Sequence, residues 1–237
     1  MKINHPLVKG KLVKLKPFIY AVAIEDAYDR AMLFCRYQEF YESPIKKIRG
    51  KAFSLEYLMK LYREHYKKGV FTYPEDWAGY NIPSHILDKA RIIFNETEYD
   101  EIMDKIINYC LTDIHNSNNG TIYPWYLIGA DKIDSRTMNH ELAHGLYYTN
   151  KEYEVNCNNL IANIKPSQYN KVKKQLLKIG YVDNKKIIDD EIQAFFSTGL
   201  YRTFNTLDIK QCAKPFIANF KKFNKWIVII TIYSYFW

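Results

Sequence analysis

The sequence predicts an α+β fold, rich in helix, with a small sheet whose edge strand comes just before a helix carrying two histidines. Three observations lead there. Apolar residues recur at helical spacing over most of the chain. A few short stretches are β-branched and aromatic instead. Glycine and proline are scarce, at 9 and 8 of 237 residues, so long structureless linkers are not expected. Hydrophobic residues at 48% and charged residues at 25% fit a folded chain of a length that buries a sizeable core. One unit over 1–237 is expected. Within it we distinguish a mostly helical part, 1–118, the region around the histidine helix, 119–205, and a C-terminal helix with an apolar tail, 206–237.

Taken in order, residues 11–23 alternate loosely and read as a strand. Ile24, Ala27, Ala31, Phe34 and Cys35 then share one helical face. Ser54 is the expected cap of a second helix, "LEYLMKLYREHYKK". The stretch "VFTYPEDWAGYNIPSH" carries two prolines, a glycine and an Asp-Trp pair, and reads as a long ordered loop. It either packs through Trp77 or contacts a substrate. Thr97 and Asp100 make a capping-box start for a helix running through Ile114, which "HNSNNG" ends. "TIYPWYLIGA" reads as a strand, with Pro124 marking an edge or bulge. Asp134 or Ser135 caps the histidine helix that follows. Helices are then expected over 154–164, from a cap at Ser167 to a stop at Gly180, and over 186–197 with a stop at Gly199.

The formal charge is +8, carried by 27 lysines and seven arginines dispersed along the chain. Dispersed lysine solvates a surface, whereas nucleic-acid readers concentrate arginine on one face, so no specific nucleic-acid partner is expected. Cys35, Cys110, Cys157 and Cys212 form no CxxC pair, which excludes a cysteine-rich zinc module and favours a reducing cytoplasm. The apolar run from Phe18 to Ile24 is short and ends in Glu25 and Asp26, a poor signal peptide. The terminal "WIVIITIYSYFW" has twelve uncharged residues, fewer than the roughly 20 that a membrane-spanning helix needs. It reads as a buried strand. No transmembrane helix is expected, and composition assigns no oligomeric state.

Chemistry is concentrated in "NHELAHGLYY". On a helix, residues four apart stack on one face, so His140 and His144 can aim both imidazoles at one ion. Glu141 is turned about 100 degrees from His140, which lets its carboxylate reach a water on the metal instead of the metal itself. A catalytic zinc takes three protein ligands and keeps one position open. The extended HExxHxxGxxH pattern does not supply the third, because Tyr147 and Asn150 stand at its glycine and histidine positions. Glu152 is about 12 Å along the axis from His144 if the helix continues, and Glu154 is no better placed. The nearer downstream glutamate position of related patterns falls at Asn163. Glu191, in "KKIIDDEIQAFF", is the choice, with the small Ala194 on the same helix.

With these motifs the chain resembles the zincin superfamily of zinc metallopeptidases, in its gluzincin-like branch, where HExxH is followed by a glutamate on a second helix. The resemblance rests on "TIYPWYLIGADKIDSRTMNHELAHGLYY" and "DDEIQAFF". It implies a Zn2+ cofactor held by His140, His144 and Glu191, and a peptide or protein substrate. It also implies hydrolysis by a metal-activated water, with Glu141 as general base and then as donor to the leaving amine. A peptide is expected to lie along the edge strand, against Tyr126, Leu127, Ile128 and Gly129. Tyr147, Tyr148 and Tyr201 are candidate donors to the developing oxyanion, with Tyr148 and Tyr201 carried forward. The chain departs from the pattern at Phe195, where some members place an aspartate that braces a ligand histidine. Asp189 or Asp190 is left to brace His140 or His144, or to be the ligand itself. The alternative reading is a catalytically inactive zinc-binding peptide-recognition or regulatory protein on a protease-like scaffold.

Overall fold

A computed structural model of the chain describes residues 1–66, 69–199, 204 and 207–225. Its class is the expected one, α+β and helix-rich with a small mixed sheet. Where one unit is expected, contacts divide the chain into two, Met1–Met138 and a second that begins at Asn139. The expected C-terminal strand falls on 226–237, outside the described residues.

In the first unit, β1 (Lys2–Asn4), β2 (Lys9–Lys16) and β3 (Ile19–Ala23) form an antiparallel meander. The single strand expected over 11–23 is therefore a hairpin. Its turn is taken by Pro17 and Phe18, and Phe18 is left-handed at φ 64, a conformation that costs a residue with a Cβ. The turn is held because the Phe18 carbonyl accepts from Tyr126 N at 2.8 Å. β4 (Tyr80–Pro83) and β5 (Tyr126–Ala130) complete the sheet in the order β1-β2-β3-β5-β4.

This order corrects the expectation of an edge strand before the histidine helix. β5 pairs with β3 in parallel and with β4 in antiparallel register, Tyr126 with Ile19 and Pro83, and Leu127 with Tyr20 and Ile82. All five of its residues are buried. Both hydrogen-bonding edges are thus taken, and β4, in the stretch expected to be a loop, is the strand beyond it. Pro124 falls two residues before β5 begins, so it removes no ladder bond and marks an entry rather than an edge.

Among the described residues of the same unit, five helices pack: α1 (Ala27–Glu42), α2 (Leu55–Tyr66), the short α3 (Tyr73–Asp76), α4 (Ser84–Ile93) and α5 (Glu98–Ser117). Asp26 caps α1 by accepting from Asp29 N at 2.9 Å, and Thr97 and Asp100 form the expected capping box of α5. α1 is buried on most of its circumference, and it carries charge into the core. Arg36 pairs with Asp100 at 2.7 Å, donates to the Phe53 carbonyl at 2.8 Å and lies over the Phe94 ring. Glu39 is 4% exposed, and its Oε2 has no hydrogen-bond partner among the described residues.

The second unit is built of helices. α6 (Arg136–Thr149) runs into it and is followed by α7 (Lys151–Ala162), α8 (Pro166–Lys178), α9 (Lys185–Thr198) and α10 (Leu207–Asn224). α9 touches α7, α8 and α10. Its apolar side, Ile188, Ile192 and Phe196, meets Ile161, Val172, Leu176, Ile209 and Phe216 in one core. No helix among the described residues is long and apolar enough to cross a membrane.

Candidate metal centre

Ser135 starts the motif helix, its Oγ accepting from Met138 N at 3.0 Å, which satisfies one of the free amides of the first turn. Two turns on, helical spacing brings the His140 and His144 rings to 4.9 Å between centroids at 86°. Asn184 starts α9 in the same way, accepting from Lys186 N at 2.9 Å, and Glu191 projects from its second turn. Leu146 carries α6 on to the Asn150 cap that begins α7.

His140, His144 and Glu191 converge. The two Nε2 atoms are 3.3 Å apart, His140 Nε2 is 3.6 Å from Glu191 Oε2, and His144 Nε2 is 3.6 Å from Glu191 Oε1. Bonds of about 2.0–2.1 Å to nitrogen and oxygen in a tetrahedral site place neighbouring ligand atoms about 3.3 Å from each other. The two imidazole nitrogens stand at that spacing, each has a different oxygen of the Glu191 carboxylate 3.6 Å away, and one ligand atom from each residue lies within 4.8 Å of the others. The 3.6 Å contacts are too long for hydrogen bonds. Glu191 Oε2 is buried and has no hydrogen-bond partner among the described residues, which is costly for a carboxylate oxygen and is relieved by a cation. Among the described residues, this is the group of His, Cys, Asp and Glu side chains that could hold a metal ion.

The electrostatics favour positive charge between these groups. Burial alone disfavours a charged His144, but Asp190, Glu191 and Glu141 outweigh it and lift the imidazole well above its ordinary pKa. Burial alone also pushes the Glu191 carboxyl up. The His144 and His140 imidazoles and the Tyr181 hydroxyl outweigh that and hold it below the usual carboxylate value. Glu141 is 6% exposed and close enough for its charge to act on His144.

The two aspartates left open by the sequence have separate places. Asp190 Oδ1 lies 2.8 Å from His144 Nδ1, so Asp190 is the brace. Asp189 turns away, bonded to the Tyr169 hydroxyl at 2.8 Å and paired with Lys185. Phe195, at the position of the missing brace, packs its ring 4.6 Å from that of His140.

The other expected site residues are not part of this group. Tyr126, Leu127, Ile128 and Gly129 are buried between β3 and β4. Gly129 has a packing reason, since a Cβ there would stand 2.6 Å from the Phe34 ring. Tyr147 is tied to Asn158 at 2.6 Å, Tyr148 is a surface ring at 36% exposure, and Tyr201 lies outside the described residues. Tyr181, which touches Glu191, carries no spacing signal, as it follows the end of α8 by three residues.

No protein-family model matches this chain, and comparison with curated proteins and with solved structures finds no match.

Proposed function

We propose that the chain is a zinc-dependent metallopeptidase in which His140, His144 and Glu191 hold the ion. The single observation that carries this is the convergence of two imidazole nitrogens, 3.3 Å apart and each 3.6 Å from one oxygen of the buried Glu191 carboxylate, whose Oε2 has no hydrogen-bond partner among the described residues. Two imidazoles and one carboxylate suit zinc, and three protein ligands leave one position for water or substrate. Zinc bound there supplies an acidified water and polarises the carbonyl of the bond to be cut.

The chain's own groups do the rest. Glu141 follows His140 by one residue and is turned to one side of the ligand face. Its carboxylate takes the proton of the attacking water and returns it to the leaving amine nitrogen. Asp190 holds the proton of His144 on Nδ1 and so leaves Nε2 free to ligate. We assign the protein to a reducing compartment, the cytoplasm, on its four free thiols, three of them buried.

The test is Glu141→Gln with a degenerate peptide library read by mass spectrometry. The variant keeps its metal and loses hydrolysis; undiminished cleavage by the variant contradicts the reading. A second reading, a zinc-holding peptide-recognition protein without turnover, is favoured by one observation. β5, the strand expected to pair with a peptide, has both edges occupied. Stoichiometric peptide binding by the zinc-loaded chain with no cleaved product would decide for it.

A further inference from the structure

Gln193 is wholly buried, as is Tyr153, and Ser197 is 3% exposed. These three polar side chains lie between α7 and α9, where apolar side chains of similar size would pack without the cost of desolvating an amide and two hydroxyls. Their hydrogen bonds run in one direction. Gln193 Nε2 donates to Asp190 Oδ1 at 2.9 Å, and Gln193 Oε1 accepts from the Tyr153 hydroxyl at 3.1 Å. The opposite amide orientation would set its oxygen against the Asp190 carboxylate, so the carboxylate fixes the amide. Tyr153 has one proton and spends it on Gln193. The Ser197 hydroxyl, 3.0 Å away, is therefore the donor to the Tyr153 oxygen.

The chain of donors thus passes from Ser197 through Tyr153 and Gln193 to Asp190. Its last acceptor, Asp190 Oδ1, is also the atom 2.8 Å from His144 Nδ1. A carboxylate only accepts, so in the neutral form that His144 takes as a ligand the proton stays on Nδ1. Its Nε2 lone pair is then left facing His140 and Glu191. Asp190 itself is not enclosed, with a side chain 28% exposed. Without the amide of Gln193, that oxygen is free to turn toward solvent.

We propose that Gln193 is a positioning residue of the metal centre, holding Asp190 against His144 through a one-way hydrogen-bond chain that begins at Ser197. The proposal rests on the reading that His140, His144 and Glu191 hold an ion, and it does not depend on peptide cleavage. It makes Asp190, directly before the third ligand, and Gln193, two residues after it, the support of a histidine on another helix.

The test is zinc affinity by chelator competition, together with the visible absorption of the cobalt(II)-loaded full chain. Gln193→Met is expected to weaken zinc severalfold or more, up to the about 10- to 100-fold that losing the ligand's own partner, Asp190, usually costs. It should also shift the cobalt bands while the far-ultraviolet circular dichroism is unaltered. In an Asp190→Asn background the same substitution adds no further loss, because Gln193 acts only through Asp190. Tyr153→Phe keeps the shape and the Gln193–Asp190 bond. A smaller loss in the same direction is expected from it, and it carries the test should Gln193→Met not fold. Wild-type affinity and cobalt bands in these variants, or losses that add to that of Asp190→Asn, overturn the proposal. A wild-type chain that takes up neither zinc nor cobalt overturns the metal reading as well, an outcome distinct from one seen only in the variants.

Discussion

His144 is braced by Asp190, the residue directly before Glu191, with 2.8 Å between Nδ1 and Oδ1. Glu191 and Asp190 therefore leave α9 at adjacent positions about 100 degrees apart, one facing the Nε2 atoms of the two imidazoles and one facing Nδ1 of His144. This explains how the centre dispenses with an aspartate at Phe195, whose ring instead packs on His140.

The two neighbouring aspartates should separate cleanly. Asp190→Asn replaces the carboxylate that faces His144 Nδ1 by an amide and is expected to lower zinc affinity about 10- to 100-fold. Asp189→Asn is expected to leave it within about twofold, because Asp189 is engaged by Tyr169 and Lys185 and acts on α8 rather than on the ligands. Chelator competition on both variants checks this.

Gly129 should behave as a packing position. An added methyl meets Phe34 at 2.6 Å, and that ring is held in turn by its stack on Tyr80. Gly129→Ala is expected to destabilise the protein by about 1–3 kcal/mol, the usual cost of overpacking. The loss would appear as a lower urea midpoint, with zinc affinity unchanged.

Glu39 should make stability depend on pH. Burial raises its carboxyl above the ordinary value, only partly offset by the nearby Ser43 and Tyr73 hydroxyls. A carboxyl whose pKa is raised on folding binds its proton more tightly in the native state. Stability is therefore fullest below the unfolded value of about 4.3 and is lost as pH rises through the folded one. Glu39→Gln removes this dependence. Thermal unfolding should show the variant gaining on the wild type from about pH 4 toward about pH 8. A difference that shrinks over that range would contradict the assignment.

The sequence is a good guide wherever local spacing decides and a poor one where pairing does. His140 and His144 follow from helical geometry, and Glu191 from an acidic cluster opening a later helix. The choice between Asp189 and Asp190 needs the rotation of α9 about its axis, which α7, α8 and α10 set together. β4 is hidden because it is only four residues long, opening after Gly79 and closing on Pro83, too short to show a period of two. β5 reads correctly as a strand, yet its β-branched and aromatic content suits a buried strand as well as an edge. Only its partners β3 and β4 tell the two apart. Gln193 carries no spacing signal in sequence, and its burial against the Tyr153 hydroxyl shows only in the fold.

X-ray absorption at the zinc edge of the purified, zinc-loaded chain tests the central claim most directly. One zinc per chain is predicted, with two imidazole nitrogens and carboxylate or water oxygen at about 2.0–2.2 Å, and no sulfur at about 2.3 Å. Loss of one imidazole in His144→Ala should accompany it. A folded chain that binds no zinc, or one whose zinc shows sulfur ligands or keeps both imidazoles in that variant, would contradict it.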